Sequence, residues 1–153
     1  MLRESETPLM WIEFIRQLEP EAEFAEGATS ERLAHFEQTL HVALPDDLKS
    51  LLRESDGVYG AYGLHLIWSV DEIEELNRQR REHPGFRSTY MPLDSLLLFA
   101  DAGDGEMFAL GIIEGMIQRP FVYVWNPIND SRTFVAPSIR RYLEGWLTGK
   151  ITL

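Results

Sequence analysis

The sequence predicts an α+β domain in which helices come first, an antiparallel meander follows, and one further helix closes the chain. Apolar residues recur at helical spacing in the first half, whereas short apolar runs separated by turn residues fill the stretch from Met91 to Val135. Helical spacing returns after Pro137. We therefore expect a mixed, mainly antiparallel sheet of about 4–6 strands, flanked by N-terminal helices and a C-terminal helix.

The length and composition are typical of one folded domain. The chain has 153 residues, of which 44% are hydrophobic and 25% charged. This is enough for one core, but two domains would be cramped. The sequence contains no internal repeat, linker or low-complexity tract. We expect residues 1–153 to form a single domain.

Three helices are predicted in the first third of the chain. Trp11, Ile15 and Leu18 recur at helical spacing, and Ser30 is the expected cap of a second helix. The segment Leu44-Pro45-Asp46-Asp47-Leu48 predicts a third helix, which should run to about residue 54. Proline suits the first helical position, and acids there interact favourably with the helix dipole.

An aromatic loop, a strand and a fourth helix follow. Tyr59-Gly60-Ala61-Tyr62-Gly63 is expected to be a flexible loop, and Leu64 to Trp68 a short strand. Ser69 can cap a helix from Val70 to about Arg81, whose basic last turns suit the negative end of the helix dipole. Pro84-Gly85 is expected to close this helix.

The second half of the chain alternates apolar runs and turns. Its predicted strands are Leu96–Ala100, Met107–Ile112, Phe121–Trp125 and Arg132–Val135. The glycine- and aspartate-rich turn between the first two, residues 101–106, is a strong hairpin signal. Pro137-Ser138 then opens a helix that is expected to end at Gly149.

The chain is strongly acidic, with 14 Lys and Arg against 25 Asp and Glu and a net charge of -11. This charge repels phosphate backbones and anionic lipid heads, so we expect neither nucleic-acid nor membrane binding. It would attract a basic protein partner and speed its capture. General solubility is the alternative explanation of the charge.

The protein is expected to act in the cytoplasm. No run of about 18 uncharged apolar residues could form a membrane helix, and Met1 to Glu13 lacks the pattern of a signal peptide. The absence of cysteine excludes disulfides and thiolate metal sites. A reducing compartment is therefore the simplest setting.

The sequence shows no catalytic or cofactor-binding motif. His35, His41, His65 and His83 are scattered among different predicted elements, and no HExxH pair occurs. There is no G-x-S-x-G elbow, and no glycine-rich phosphate loop joins a strand to a helix. We therefore expect a non-catalytic protein that uses no cofactor and no metal.

Asp101, Asp104 and Glu106 place three carboxylates in the hairpin turn. Three such groups could collect a hard cation such as calcium, but their spacing differs from that of an EF-hand loop. Turn chemistry explains them more simply, because aspartate bonds its own backbone and glycine adopts a positive φ. Contact with a partner is the functional alternative, since polar loop residues on a rigid sheet often bind.

Tyr59, Tyr62 and Trp125 are the aromatic candidates for partner contact. The two tyrosines lie in a glycine-rich loop, where partner contact and packing on the sheet are equally open. Trp125 stands in an apolar strand, which favours core packing, but tryptophan is also a common interface anchor.

The order and spacing of these motifs resemble the SUKH superfamily, in particular its bacterial branch similar to cell-wall regulators of the SMI/KNR type. The resemblance covers roughly residues 30–148. It is carried by Leu44-Pro45-Asp46-Asp47-Leu48, Asp56-Gly57, Leu66-Ile67-Trp68-Ser69, Pro92-Leu93, Phe99-Ala100-Asp101-Ala102-Gly103-Asp104-Gly105, Met107-Phe108-Ala109, Val122-Tyr123-Val124-Trp125, Ala136-Pro137-Ser138 and Tyr142-Leu143 with Trp146-Leu147. Similar bacterial members often carry an acidic residue and a histidine after the tryptophan, where this chain has Asn126-Pro127. We therefore carry over no role to that turn.

The resemblance implies an open sheet flanked by helices and a protein-binding role. Bacterial members are mostly immunity proteins that neutralise a polymorphic toxin, whereas fungal relatives regulate cell-wall synthesis and signalling. We expect an immunity-type protein that binds a basic toxin domain, such as a nuclease. The hairpin acids would steer the partner, and Tyr59, Tyr62 and Trp125 would be the buried anchors. A regulator or scaffold of the same family and a small-molecule-binding protein are the alternatives.

Overall fold

The computed structural model of the protein describes residues 10–153, except for the side chain of Tyr62. Its helices are α1 (Trp11–Leu18), α2 (Ser30–Leu40), α3 (Asp46–Glu54), α4 (Val70–Glu82), α5 (Pro84–Thr89) and α6 (Ile139–Leu147). Its strands are β1 (Glu23–Phe24), β2 (Val58–Tyr59), β3 (His65–Ile67), β4 (Leu96–Asp101), β5 (Met107–Gly111), β6 (Val122–Asn126) and β7 (Ser131–Ala136). The predicted α+β class is confirmed. None of the helices in the described residues is long and apolar enough to span a bilayer.

The strands divide between two antiparallel sheets, one in the order β1-β2-β3 and one in the order β4-β5-β6-β7. The larger sheet is the predicted meander. A bulge in β4 leaves Phe99 out of the register with β5. The Phe99 carbonyl instead accepts a hydrogen bond from Trp68 N at 2.8 Å, just beyond β3. The small sheet therefore meets the large one at the edge of β4.

Helix α4 covers the rest of this edge. Asn77 Nδ2 donates to Leu98 O at 2.8 Å, and Asn77 Oδ1 accepts from Leu98 N at 2.9 Å. One turn later Arg81 Nη2 donates to Leu96 O at 2.9 Å. An uncovered strand edge would expose a row of unpaired backbone groups. The two side chains satisfy these groups and fix α4 beside β4.

One face of the large sheet is covered by α6, and part of the other face is covered by the segment after α5. Phe108 packs against Tyr142 and Trp146 of α6, with ring centroids 4.6 and 5.1 Å apart. Side chains alternate along a strand, so Met107 and its cross-strand partner Trp125 point to the opposite face. There Tyr90, just after α5, packs edge-on against Trp125 at 5.1 Å. The buried apolar side chains of both sheets and of α1–α4 and α6 form one cluster.

The helix starts agree only in part with the prediction from local sequence. Ser69 caps α4 in a complete capping box with Glu72, as predicted for the cap. The cap of α2 is Thr29, whose side chain accepts from Arg32 N, so the prediction of Ser30 was wrong by one residue. Pro84 does not simply close α4, because it also starts α5 as its first residue, where its missing N–H is no loss.

Candidate functional site

The predicted aromatic loop and acidic hairpin lie side by side around one shallow pocket of about 540 Å³. The pocket is lined by Ala61, Gly63, Leu64, His65, Asp101, Gly103 and Gly105. The two segments are far apart in sequence and meet because β3 adjoins the edge of β4. We call the surface formed by residues 59–65 and 101–106 the hairpin face.

The hairpin turn is built as its glycines and aspartates predict. Gly103 and Gly105 both have a φ of 96°, a conformation that other residues rarely adopt. Ala102 N donates to Glu106 O at 3.0 Å, and Asp104 Oδ1 accepts from Glu106 N at 3.1 Å. The turn-forming role of Asp104 is therefore confirmed, and its exposed position leaves it available for contact.

Asp101 lies at the inner end of the hairpin and has a structural partner. Its Oδ2 atom accepts a hydrogen bond from Trp68 Nε1 at 3.0 Å, and the Trp68 ring is only 2% exposed. Burial and the nearby charge of Asp101 together raise the pKa of Tyr142 well above its ordinary value. Asp101 thus stabilises the floor of the hairpin face, while Asp104 and Glu106 form its outer part.

Asp104 and Glu106 concentrate negative charge at the tip of the hairpin. Burial and the adjacent charge of Asp104 raise the pKa of the Glu106 carboxyl. The described residues show no cation within ion-pair distance of either side chain. They also contain no group of three possible ligands that could hold a metal ion. The tip is an acidic patch that a basic surface would complement.

Tyr59 lies in β2 and not in a loop, because its backbone pairs with Glu23 and His65. Its ring packs edge-on against the His65 ring at 4.5 Å and is partly exposed. The His65 Nδ1 atom lies 3.2 Å from a carboxylate oxygen of Glu72. The backbone of Tyr62 belongs to a 3-10 turn, but its side chain lies outside the described part of the structure.

Trp125 is not on the surface, and the prediction of a partner-binding anchor at this position was wrong. Its side chain is 1% exposed. Its Nε1 atom donates to Asp130 Oδ1 at 2.8 Å, and the Tyr90 ring covers it. The core-packing alternative is confirmed, because Tyr90, which follows α5, and Asp130 enclose the indole.

His65 belongs to the hairpin face and Glu72 contacts it, but neither was a candidate from the sequence. His65 was one of four scattered histidines, and Glu72 was one of many helix acids. Their only signal was position: His65 follows the aromatic loop directly, and Glu72 stands three residues after the cap Ser69. The capping box turns Glu72 back towards the start of α4, which brings it to His65.

Comparison with known families identifies the domain. The SUKH_6 family model, described as SMI1-KNR4 cell-wall, matches residues 30–143, well over half of the chain. A search of curated proteins gives no match. The matched region includes α2 to β7, the hairpin face and most of α6. The chain therefore belongs to the SUKH superfamily.

Proposed function

We propose that this protein is a non-catalytic immunity-type protein that acts in the cytoplasm and neutralises a toxin domain with a basic surface. The proposal rests on the geometry of the hairpin face, where the segment that follows the partly exposed Tyr59 and the turn that carries Asp104 and Glu106 line one pocket. An aromatic side chain for desolvated contact beside charges for steering is a common arrangement at protein interfaces.

The electrostatics of the whole chain support a basic partner. The net charge of -11 would accelerate the approach of a positively charged domain from any direction. Long-range attraction alone does not define a binding site, however. No cation among the described residues pairs with the charge of the hairpin tip, so the tip would orient the partner on approach. A nuclease is a suitable class, because a nuclease needs a basic substrate groove that an acidic surface could cover.

Binding to the toxin domain encoded beside the gene tests this proposal. We expect the purified protein to bind that domain and to inhibit its activity at equimolar concentration. The double substitution Asp104→Lys with Glu106→Lys should weaken binding at least about tenfold, since repulsion replaces attraction at the interface. Isothermal titration calorimetry gives the affinity, and an activity assay gives the inhibition.

The matched control is Glu75→Lys with Glu82→Lys, which changes the net charge equally on exposed positions of α4. Glu82 lies about 15 Å farther along α4 than Glu72. We expect this control to weaken binding by less than about threefold through the general charge alone. Absence of binding by the unaltered protein, or equal losses in both double variants, would contradict the proposal.

The second candidate function is regulation of cell-wall synthesis, and the description of the matching family favours it. In that case the gene should stand apart from any toxin gene. Deletion should then alter sensitivity to cell-wall inhibitors, and the chain should co-purify with a component of wall synthesis. A deletion strain with unchanged wall sensitivity, but killed by the adjacent toxin, would exclude this candidate.

A further inference from the structure

A second cavity, larger than the pocket of the hairpin face, lies at the C-terminal end of α4. Its volume is about 860 Å³, within the range of pockets that hold small molecules. It lies between the end of α2, the last turns of α4, α5, the 3-10 turn Leu93–Ser95 and the turn that follows β5. We call it the arginine groove because Arg78, Arg80, Arg81 and Arg87 all line it.

Four arginines in one groove are unusual in a chain with 14 bases against 25 acids. Glu82, Asp94 and Glu114 also line the groove, together with His41, so the acids there do not outnumber the arginines. The arginines of α4 suit the negative end of the helix dipole. That effect explains positive charge at this position, but it does not explain why the side chains have so few acidic partners.

The pairing of these arginines is incomplete. Among the described residues, ion pairs join Arg78 to Glu75 at 3.6 Å and to Glu82 at 3.8 Å, but none joins Arg80, Arg81 or Arg87 to a carboxylate. Within the described part of the chain, the Nε atoms of Arg80 and Arg81 are buried without a hydrogen-bond partner. A partly buried guanidinium group without a paired carboxylate is destabilising, and an anion bound in the groove would supply the missing counter-charge.

The pKa shifts of Arg80 and Arg81, which are both half-buried, also indicate an incomplete counter-charge. Burial lowers the pKa of the Arg80 and Arg81 guanidinium groups, and the charges of Asp101 and Asp94 only partly offset the effect. Arg81 uses one nitrogen to hold Leu96 O, which fixes the direction of its side chain. The groove thus presents positive groups that are already positioned.

The wall of the groove has an apolar part. The guanidinium carbon of Arg80 lies 5.8 Å from the centre of the Phe86 ring, and Phe86 itself is partly buried against Tyr90. The other apolar side chains in the lining are Leu40, Val42, Met91, Leu93 and Ile112. A cationic site beside an aromatic ring and aliphatic side chains suits a ligand with both a charged and an apolar group.

We propose that the arginine groove binds a small ligand that carries an oxyanion, either a phosphate or a carboxylate, together with an apolar group. The planar fork of arginine pairs with either oxyanion through two parallel hydrogen bonds. The apolar group would lie against Phe86. This site is separate from the hairpin face, and its occupancy does not depend on a toxin partner.

Titration of the full chain at low ionic strength with three probes tests the proposal: phenyl phosphate, benzoate and inorganic phosphate. We expect phenyl phosphate to bind about fivefold more tightly than inorganic phosphate, because its ring adds an aromatic contact. Whichever of phenyl phosphate and benzoate binds more tightly identifies the preferred oxyanion. Tighter binding of either one supports the proposal. Shifts in amide NMR signals should be confined to the residues that line the groove.

Arg87→Gln and Arg80→Gln should each raise the dissociation constant for phenyl phosphate about tenfold, which is the loss of one charged hydrogen-bonding group. Arg87 is exposed, so its substitution leaves the fold intact even if Arg80→Gln is destabilising. Arg141→Gln is the matched control, because this arginine is 70% exposed on α6 and should change the constant less than about twofold.

Three results would overturn the proposal. The first is no binding of phenyl phosphate or benzoate at millimolar concentration. The second is an equal effect of Arg87→Gln and Arg141→Gln, which would indicate only general attraction of anions. The third is tight capture of a hexaglutamate peptide in the groove without binding of either small probe, which would assign the groove to acidic protein segments.

Discussion

Two aspartates show that a charged residue can be more important for the interior than for the surface of this protein. Asp101 holds the Trp68 indole, and Asp130 holds the Trp125 indole. Each tryptophan has only one polar atom, and a buried indole N–H without an acceptor is destabilising. Sequence alone would assign carboxylates that follow apolar strands to turns or to binding. Here these two carboxylates instead stabilise buried indoles.

The Asp130 carboxylate accepts several hydrogen bonds, so its contribution to stability can be tested by a single substitution. Burial would raise the pKa of its carboxyl, but hydrogen bonds from Met91 N, Trp125 Nε1 and Arg132, with the charge of Arg132, hold it below the ordinary value. Asp130→Asn should therefore lower the free energy of unfolding by about 2 kcal/mol at pH 7, because one strong acceptor is lost. Urea denaturation measures the change.

The stability difference between the unaltered protein and Asp130→Asn should depend on pH, because the pKa of Asp130 is lowered in the folded state. The charge of Asp130 stabilises the fold above the unfolded-state pKa of about 4, and the contribution is lost as the pH falls through the lower folded-state pKa. The gap between the unaltered protein and Asp130→Asn should be constant from pH 7 to pH 5 and shrink below pH 4. A gap that does not change with pH would contradict this assignment. The exposed substitution Asp104→Asn is the control, with a change of less than about 0.5 kcal/mol.

At the scale of elements, the contact between α4 and β4 determines how the two sheets are arranged. Asn77 is 1% exposed and is one of two buried polar side chains identified among the described residues. Its amide substitutes for a neighbouring strand at Leu98, and this ends the large sheet at β4. Helix α4 then carries Arg78, Arg80 and Arg81 to the groove and brings Glu72 to His65 of the hairpin face.

Asn77→Ala should lower the free energy of unfolding by about 3 kcal/mol, since the N–H and C=O groups of Leu98 both lose their partner in the interior. Chemical denaturation gives the change, and hydrogen exchange at the Leu98 amide should become faster than at its neighbours in β4. Gln79→Ala, at an exposed position of the same helix, should change stability by less than about 0.5 kcal/mol. Equal effects of the two substitutions would show that the edge contact contributes nothing.

Most elements were predictable from the sequence, but the two shortest strands and α5 were not. The spacing of apolar residues predicted α1 to α4, α6 and the four strands of the large sheet. Strands β1 and β2 are two residues long, too short for any alternation to be visible. Helix α5 was missed because Pro84-Gly85 reads equally well as the end of one helix and the start of another.

The candidate site was predictable only where local sequence determines its structure. The turn residues of the hairpin follow from local chemistry, so Asp104, Gly103 and Gly105 were assigned correctly. The burial of Trp125 depends on α5, the element that the sequence did not predict. The meeting of the aromatic loop with the hairpin depends on the bulge at Phe99, which no local pattern indicated.

At the scale of the whole molecule, two surfaces of opposite character lie near the two ends of α4. The hairpin face is acidic and carries a partly exposed aromatic ring, whereas the arginine groove is basic and concave. Such a distribution makes the net charge of -11 a poor guide to local binding. The hairpin face suits a basic protein, and the groove suits a small anion, so the two sites need not compete.

Whether the hairpin face receives a basic partner is tested most directly by the association rate with a toxin domain encoded beside the gene, measured by stopped flow at low and high salt. We expect the rate of the unaltered protein to fall steeply with salt, and Asp104→Lys with Glu106→Lys to lower the low-salt rate at least about tenfold. Glu75→Lys with Glu82→Lys should lower it less than about threefold. A rate that is independent of salt, or equal in both double variants, would contradict the claim that the hairpin face receives a basic partner.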